Sequence, residues 1–256
     1  GVESDESTIQ TLLNRVSTAM NYYLSDAQAK ELAPQIETLL IEKMRNAPTL
    51  GQRITFYRAF LNIAASSNAR QILKEILNGK FAAKDLKLKT KDKFDIVVKL
   101  AILADPDTQK LLEGLVKTET SDDAKRYAYA ARAGFGTAEN KAKFFDDFTG
   151  SKEISESWIE SAFAPFNSVR HSELTLPFLE KALAELPNLK RNRKIFFVNG
   201  WLSAFIGGQK DEKALQIVNK FLADNPNLDK DLRLKILENA DGLERAVKIR
   251  AKYAQK

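Results

Sequence analysis

Apolar residues recur along the chain at intervals of three and four positions, the spacing of one face of an α-helix. One such series runs through Leu32, Ile36, Leu39, Leu40 and Met44. Similar series follow one another in about fourteen segments of roughly 10 to 20 residues, and the loops between them have only a few residues. No segment shows the alternation of a half-buried strand. The pattern therefore predicts an all-α protein.

Helix-breaking and capping residues suggest where the helices begin and end. Gly79 follows a predicted helix over 68–77, and Pro106 suits the first turn of a helix over 106–117. Thr137 is placed to cap a helix over 138–148. In the last third of the chain we expect helices over 172–185, 190–206, 212–224, 229–239 and 241–254.

Short loops make consecutive helices antiparallel neighbours, so the chain is predicted to form a series of helical hairpins. No fixed-period signature of a regular repeat family is present, which favours an irregular α-superhelix of HEAT-like hairpins. The long polar stretch from Gly79 to Lys93 is interpreted as a connection within this array. We expect residues 1–256 to form a single domain, cut from a longer chain because Gly1 stands where an initiator Met is absent.

Composition supports a helical core and excludes several kinds of chemistry. Among 256 residues there are only 11 Gly and 7 Pro, and 44% of residues are apolar. Cysteine is absent and His171 is the single histidine, so thiol catalysis, Cys-ligated metals and sites with two histidines are excluded. No apolar run reaches the length of a membrane span, and the N-terminal residues do not form a signal peptide. The sequence does not assign a compartment.

The net charge of +6 is concentrated in one region. Residues 51–100 carry 11 basic and 4 acidic side chains, and the basic residues from Lys80 to Lys99 are all lysines. A nucleic-acid-binding surface usually mixes arginine and aromatic residues into such a cluster. We therefore interpret these lysines as a solvated loop and helix face and expect no nucleic-acid partner. A DNA-binding array remains a minor alternative, which would show strongly salt-dependent binding.

The short motifs with possible chemistry are better explained by helix structure. Gly134-Phe-Gly136 and Gly207-Gly208 look like helix ends, and the adjacent acids Asp122 and Asp123 point too far apart for a catalytic pair. Trp158, Trp201 and the pairs Phe144-Phe145 and Phe196-Phe197 are expected in the core. We predict no catalytic residue and no metal ligand in this chain.

The C-terminal third carries the most specific pattern. It contains Arg193–Val198, Trp201–Gly208, Leu215–Leu222, Asn227–Glu238 and Asp241–Arg250, preceded by Ser157–Asn167 and Leu174–Leu179. In this order the segments resemble the C-terminal helical domain of zinc aminopeptidases of the aminopeptidase N family, especially the endoplasmic-reticulum aminopeptidases.

The resemblance implies a non-catalytic domain that walls and caps the active-site chamber and helps admit and position peptide substrates. It also implies that zinc is bound by an upstream catalytic domain of the same chain, because the H-E-x-x-H and G-x-M-E-N motifs of the family are missing here. No cofactor is expected in this chain. Phe166, Asn167 and Arg170 are the candidate substrate-binding residues. The alternative is a stand-alone HEAT-like scaffold that binds a protein partner on its concave face.

Overall fold

The computed structural model describes residues 3–253, which contain fourteen α-helices and no β-strand. The all-α prediction and the expected number of helices are confirmed. The helices are α1 (Glu6–Thr18), α2 (Asp26–Asn46), α3 (Leu50–Ile63), α4 (Ser67–Leu77), α5 (Thr90–Ile102), α6 (Thr108–Thr118), α7 (Asp122–Ala133), α8 (Ala138–Gly150), α9 (Glu156–Phe166), α10 (Ser172–Ala184), α11 (Leu186–Asn192), α12 (Ile195–Gly207), α13 (Glu212–Asp224) and α14 (Lys230–Tyr253). A π-helical turn, Ala19–Tyr23, continues α1, and a 3₁₀ turn, Val169–His171, joins α9 to α10.

Hydroxyl side chains fix the starts of several helices by accepting a backbone N–H of the first turn. Thr49, Ser66, Ser121 and Thr137 each accept from the residue three positions later, at 3.0 to 3.2 Å. Ser25 forms a reciprocal pair with Gln28 at the start of α2. These contacts satisfy donors that a helix leaves free at its N-terminus.

Two helix boundaries differ from those expected from the sequence. The predicted helix 190–206 is divided into α11 and α12, because Arg193 adopts an extended conformation between them. The predicted helices 229–239 and 241–254 are one helix, α14, of which residue 254 lies outside the described residues. Gly242 does not break α14, and an ion pair between Arg245 and Asp241 spans that turn at 2.6 Å. The two differences cancel in the number of helices.

Alternate helices pack side by side into a ring, and the remaining helices cover its outside. In the ring, α1, α3, α5, α7, α9, α12 and α14 each pack on the next helix named. The outer helices are α2, α4, α6, α8, α10, α11 and α13. The C-termini of the ring helices lie at one end: Lys141 joins the last residues of α7 and α9, and Tyr22, just after α1, contacts the last residue of α12. We call this end the C-terminal rim, formed by Ile63, Ile102, Ala133, Phe166 and Gly207.

Polar contacts close the ring between the residues that follow α1 and the C-terminal region that contains α12 and α14. The Tyr22 hydroxyl donates to the carbonyl oxygen of Gly207 at 2.9 Å. Arg250 of α14 donates to the carbonyl oxygen of Leu24. Lys210 forms an ion pair with Asp26 at 2.8 Å. These contacts join residues 184 to 226 positions apart in sequence, so the array returns to its start.

The hydrophobic core lies between the ring and the outer helices. Its largest part is rich in aromatic residues, with Trp201 at the centre, 4.4 Å from the ring of Phe205 and 5.6 Å from that of Phe163. Trp201, Phe144, Phe145 and Phe197 are buried, as predicted from the sequence. The expectation for Phe196 was wrong, since 78% of its surface is exposed. Its side chain points about 100° away from that of Phe197, on the uncovered side of α12.

Candidate functional site

The ring helices present a mostly polar face to the axis of the ring. On each of α3, α5, α9 and α12, the accessible residues recur every three or four positions, opposite the side that the outer helices cover. These positions are Thr55, Arg58 and Asn62 on α3, Lys91, Asp95 and Val98 on α5, Ser157, Glu160 and Ala164 on α9, and Phe196, Asn199 and Ser203 on α12. The inner face is therefore solvent-accessible, and it carries acidic, basic and neutral polar side chains.

Side chains from neighbouring elements cap the carbonyl groups at the C-terminal rim. Lys99 Nζ donates to the Asn62 carbonyl at the end of α3, at 2.8 Å. Lys141 Nζ donates to two carbonyls, those of Ala133 and Phe166, which end α7 and α9. Parallel helices concentrate partial negative charge at their C-termini, which favours such donors there. The rim is thus held together by side chains that join one helix to the next.

Burial changes the ionisation of both lysines. Lys99 is only 9% exposed and Lys141 has no accessible surface. Burial lowers the pKa of each amine to about 7, and Arg170 adds to the effect at Lys99. A neutral amine still has two N–H groups, enough for both carbonyl partners of Lys141. The caps therefore do not require a buried positive charge.

The single histidine belongs to the same rim. His171 Nε2 lies 3.1 Å from the carbonyl oxygen of Ile102, the last residue of α5, and Nδ1 is buried without a partner. A carbonyl accepts only, so Nε2 carries the proton and Nδ1 is the bare nitrogen of a neutral ring. Burial, with a smaller effect of Lys141, lowers the pKa of His171 to about 4. The ring packs on Gly136, where an added Cβ would lie 2.4 Å from Nε2.

A buried carboxylate organises the outer side of the rim. Glu37 of α2 is 1% exposed, and it accepts hydrogen bonds from the backbone N–H groups of Ala65 and Ser66 at 2.8 and 3.0 Å. The Ser66 hydroxyl also donates to it. The carboxylate thereby caps the start of α4 and orders the turn after α3. It also lies close enough to Lys99 and Arg170 to act on their ionisation.

The three residues predicted to bind substrate lie together where α9 ends, but only one of them is exposed. The ring of Phe166 is fully buried in the core. Asn167 is 3% exposed; its amide donates to the Phe163 carbonyl at 3.2 Å, and its side-chain oxygen is buried without a partner. Arg170 is exposed on the 3₁₀ turn and makes no hydrogen bond or ion pair with residues 3–253.

The guanidinium of Arg170 lies among groups of both charges. The surrounding protein removes part of its hydration and lowers its pKa, while Asp26 and Glu37 act in the opposite direction. The turn that carries Arg170 packs against the π-helical turn Ala19–Tyr23. Because an arginine remains charged at neutral pH, the exposed side chain of Arg170 keeps five N–H donors.

The residues that organise the rim were not found from the sequence. Glu37, Lys99 and Lys141 occur in helical segments rich in charged residues. In such segments the sequence does not distinguish a charged side chain that will be buried from one that will be exposed to solvent. Their burial depends on contacts with distant residues, such as that between Lys99 and Asn62. The spacing of residues along the sequence does not indicate which distant residues will come into contact.

The residues that the structure describes include no group of three or more histidine, aspartate or glutamate side chains that could hold a metal ion. A zinc site in an upstream domain concerns residues outside this chain and stays a prediction. Within the same range, no helix combines the length and the apolar character needed to cross a membrane.

The family comparison agrees with this architecture. The sequence model of the ERAP1-like C-terminal domain matches residues 1–245, nearly the whole chain. The chain belongs to the ERAP1-like C-terminal domain family. This confirms the resemblance found in the C-terminal third of the sequence. Comparison with curated proteins gave no significant match.

Membership of the ERAP1-like C-terminal domain family sets the role of the chain in general terms. The family is that of a non-catalytic C-terminal domain of the aminopeptidase type, and membership implies attachment to a catalytic domain. The ring, its polar inner face and the exposed Arg170 are therefore features of an accessory domain.

Proposed function

We propose that this chain is the C-terminal domain of a zinc aminopeptidase, that residues 1–256 form one domain, and that its ring walls and caps the active-site chamber. In this role the inner face admits peptide substrates and holds them away from the bond that is cleaved. Binding energy gained at a distance then contributes to orientation at the reacting centre. The HEAT-like character of the hairpins is part of the same proposal.

The observation that carries this proposal is the unpaired Arg170 on a closed ring. Arg170 is exposed at the end of a ring helix, three residues after the buried Asn167 and within the electrostatic reach of Asp26 and Glu37, and no carboxylate among residues 3–253 forms an ion pair with it. Its free N–H donors match the carbonyl and carboxylate oxygens of a peptide.

Phe166 and Asn167 have a positioning role in this proposal. Phe166 anchors the end of α9 in the aromatic core, 5.7 Å from the ring of Phe205. Asn167 ends the helix and begins the turn that presents Arg170. A substitution at either residue would move the guanidinium without removing it.

The test uses the full-length protein that contains this chain, with Arg170→Ala and, as a control, Arg245→Ala on the exposed side of α14. Cleavage of a ten-residue peptide is compared with that of a single amino-acid anilide, which is too short to reach the rim. We expect Arg170→Ala to reduce kcat/KM for the peptide about tenfold, and to leave the anilide rate unchanged. Unaltered peptide cleavage by this variant would overturn the proposal.

A further inference from the structure

A groove runs along the inner face of the ring between α1 and α3. It encloses a small cavity of about 40 Å³. The lining residues are Gln10, Leu13, Asn14 and Ser17 from α1, and Thr55, Arg58, Ala59 and Asn62 from α3. The cavity has room for one or two water molecules, so it fits single polar groups of a ligand and not a large side chain.

The polar side chains in this groove are almost all unpaired. Among residues 3–253, the side chains of Gln10, Asn14 and Asn62 make no hydrogen bond, and neither do those of Thr55 and Arg58. Three amide groups thus converge on one groove with all their donors and acceptors free.

The spacing of the amides on α1 matches that of a peptide backbone. Gln10 and Asn14 lie four residues apart, which places them about 6 Å apart along the helix axis. In an extended chain, residues i and i+2 lie about 6.6 Å apart, and both turn their N–H and C=O groups to the same side. One side-chain amide has a donor and an acceptor, so it can pair with both backbone groups of one residue.

We propose that this groove, which we call the amide groove, binds an extended segment of polypeptide through its backbone. Gln10 and Asn14 pair with alternate residues of the segment, and Asn62 with Arg58 holds it from the α3 side. Recognition of the backbone is independent of sequence, as a domain that handles many peptides requires. This inference rests on the proposed function, because it takes a peptide as the molecule inside the ring.

The groove differs from the Arg170 site in chemistry. Arg170 offers a charge at the rim, whereas the groove offers neutral amides along the wall. A peptide with an amidated C-terminus keeps every backbone group that the amide groove would bind, but it lacks the terminal carboxylate that Arg170 would bind. Its binding therefore tests the groove separately from Arg170.

The experiment measures binding of a neutral ten-residue peptide to the full-length protein by fluorescence anisotropy. The probe is an Ala-Ser repeat with an N-terminal fluorescein, which also protects it from aminopeptidase cleavage, and an amidated C-terminus. The test variant is Asn14→Ala combined with Asn62→Ala, and the matched control is Asn199→Ala combined with Ser203→Ala on the inner face of α12. Circular dichroism checks that both variants fold.

The amide groove predicts that the test variant weakens binding of the probe about tenfold, and that the control variant weakens it less than twofold. A second probe, methylated on every backbone nitrogen, should bind at least tenfold more weakly than the first, because neither edge of its extended chain keeps an N–H donor.

Equal binding by the test variant and the wild type would overturn the amide groove. The proposed function would survive that result if Arg170→Ala still slows peptide cleavage. Equal binding of the methylated and unmethylated probes would also overturn it, whatever the variants do. Failure of the wild type to bind the unmethylated probe would also overturn the amide groove, and the proposed function would still be decided by peptide cleavage with Arg170→Ala.

Discussion

The buried Nζ of Lys141 donates a hydrogen bond to the carbonyl oxygen of Phe166 at 2.7 Å. The same nitrogen donates to the carbonyl of Ala133 at 2.9 Å. One side chain of an outer helix therefore caps two neighbouring ring helices, α7 and α9. It also fixes the point at which the turn towards Arg170 begins.

Replacement of Lys141 by Met should destabilise the domain. The change leaves two buried carbonyl groups without a partner, and we expect the free energy of unfolding to fall by about 2–4 kcal/mol. Urea denaturation followed by circular dichroism measures it. Lys143→Met, an exposed position on the same helix, is the control and should stay within about 0.5 kcal/mol of the wild type. Similar midpoints for the two variants would show that Lys141 is not a structural cap.

The protonation of His171 gives a direct test of the rim, since the chain has one histidine. Burial lowers the pKa of His171 to about 4, below the ordinary value of 6.5. The unfolded chain then takes up the proton first, so the stability due to this residue is complete above pH 6.5. It should decrease as the pH falls from 6.5 to 4, and level off below 4.

The ring C–H resonances of His171 in an NMR titration report this pKa without overlap from another histidine. A midpoint near 6.5 would contradict the buried, neutral ring. The variant His171→Gln should lose less stability than the wild type as the pH falls from 6.5 to 4, because only the contribution of this residue is removed.

Gly207 and Gly208 are adjacent, but only Gly208 lies in a place too crowded for a side chain. A Cβ at Gly208 would lie 2.3 Å from the carbonyl oxygen of Asn167, whereas a Cβ at Gly207 meets nothing within 4 Å. We expect Gly208→Ala to cost about 1–3 kcal/mol, because backbone atoms on both sides must move. Gly207→Ala should leave stability unchanged or raise it by about 0.5–1 kcal/mol, as alanine restricts the unfolded chain. Thermal unfolding of the two variants compares them, and equal effects would contradict the close approach.

Ring closure can be tested at two neighbouring tyrosines. Tyr22→Phe removes the hydroxyl that donates to Gly207, and we expect a loss of about 1 kcal/mol. Tyr23 makes no hydrogen bond through its hydroxyl within residues 3–253, so Tyr23→Phe is the matched control. If the two variants unfold at the same urea concentration, the contact between Tyr22 and Gly207 does not stabilise the closed ring.

The sequence predicted the elements of the fold because helix periodicity and capping are local. Thr137 caps α8 and Gly134 ends α7 in the structure, as the motif around them indicated. The boundaries at α11, α12 and α14 were missed for a physical reason. Whether Arg193 interrupts a helix or Gly242 continues one depends on tertiary packing, which outweighs the propensity of a single residue.

The candidate site was only partly predictable. Arg170 was identified from the resemblance, and the structure places it on an exposed turn. The caps made by Lys99 and Lys141 join residues from different helices, and the unpaired amides of Asn14 and Asn62 become a groove only when α1 lies beside α3. These residues come close together only in the folded ring, and the local sequence pattern does not predict how the ring closes.

The central claim is that this ring is the C-terminal part of a zinc aminopeptidase, and the coding sequence immediately upstream of Gly1 tests it most directly. We predict that the same reading frame contains an H-E-x-x-H helix with a distant glutamate ligand, and a G-x-M-E-N motif before it. A frame that begins near Gly1, or that continues upstream without these motifs, would contradict the claim. The chain would then have to be studied as a free-standing helical scaffold.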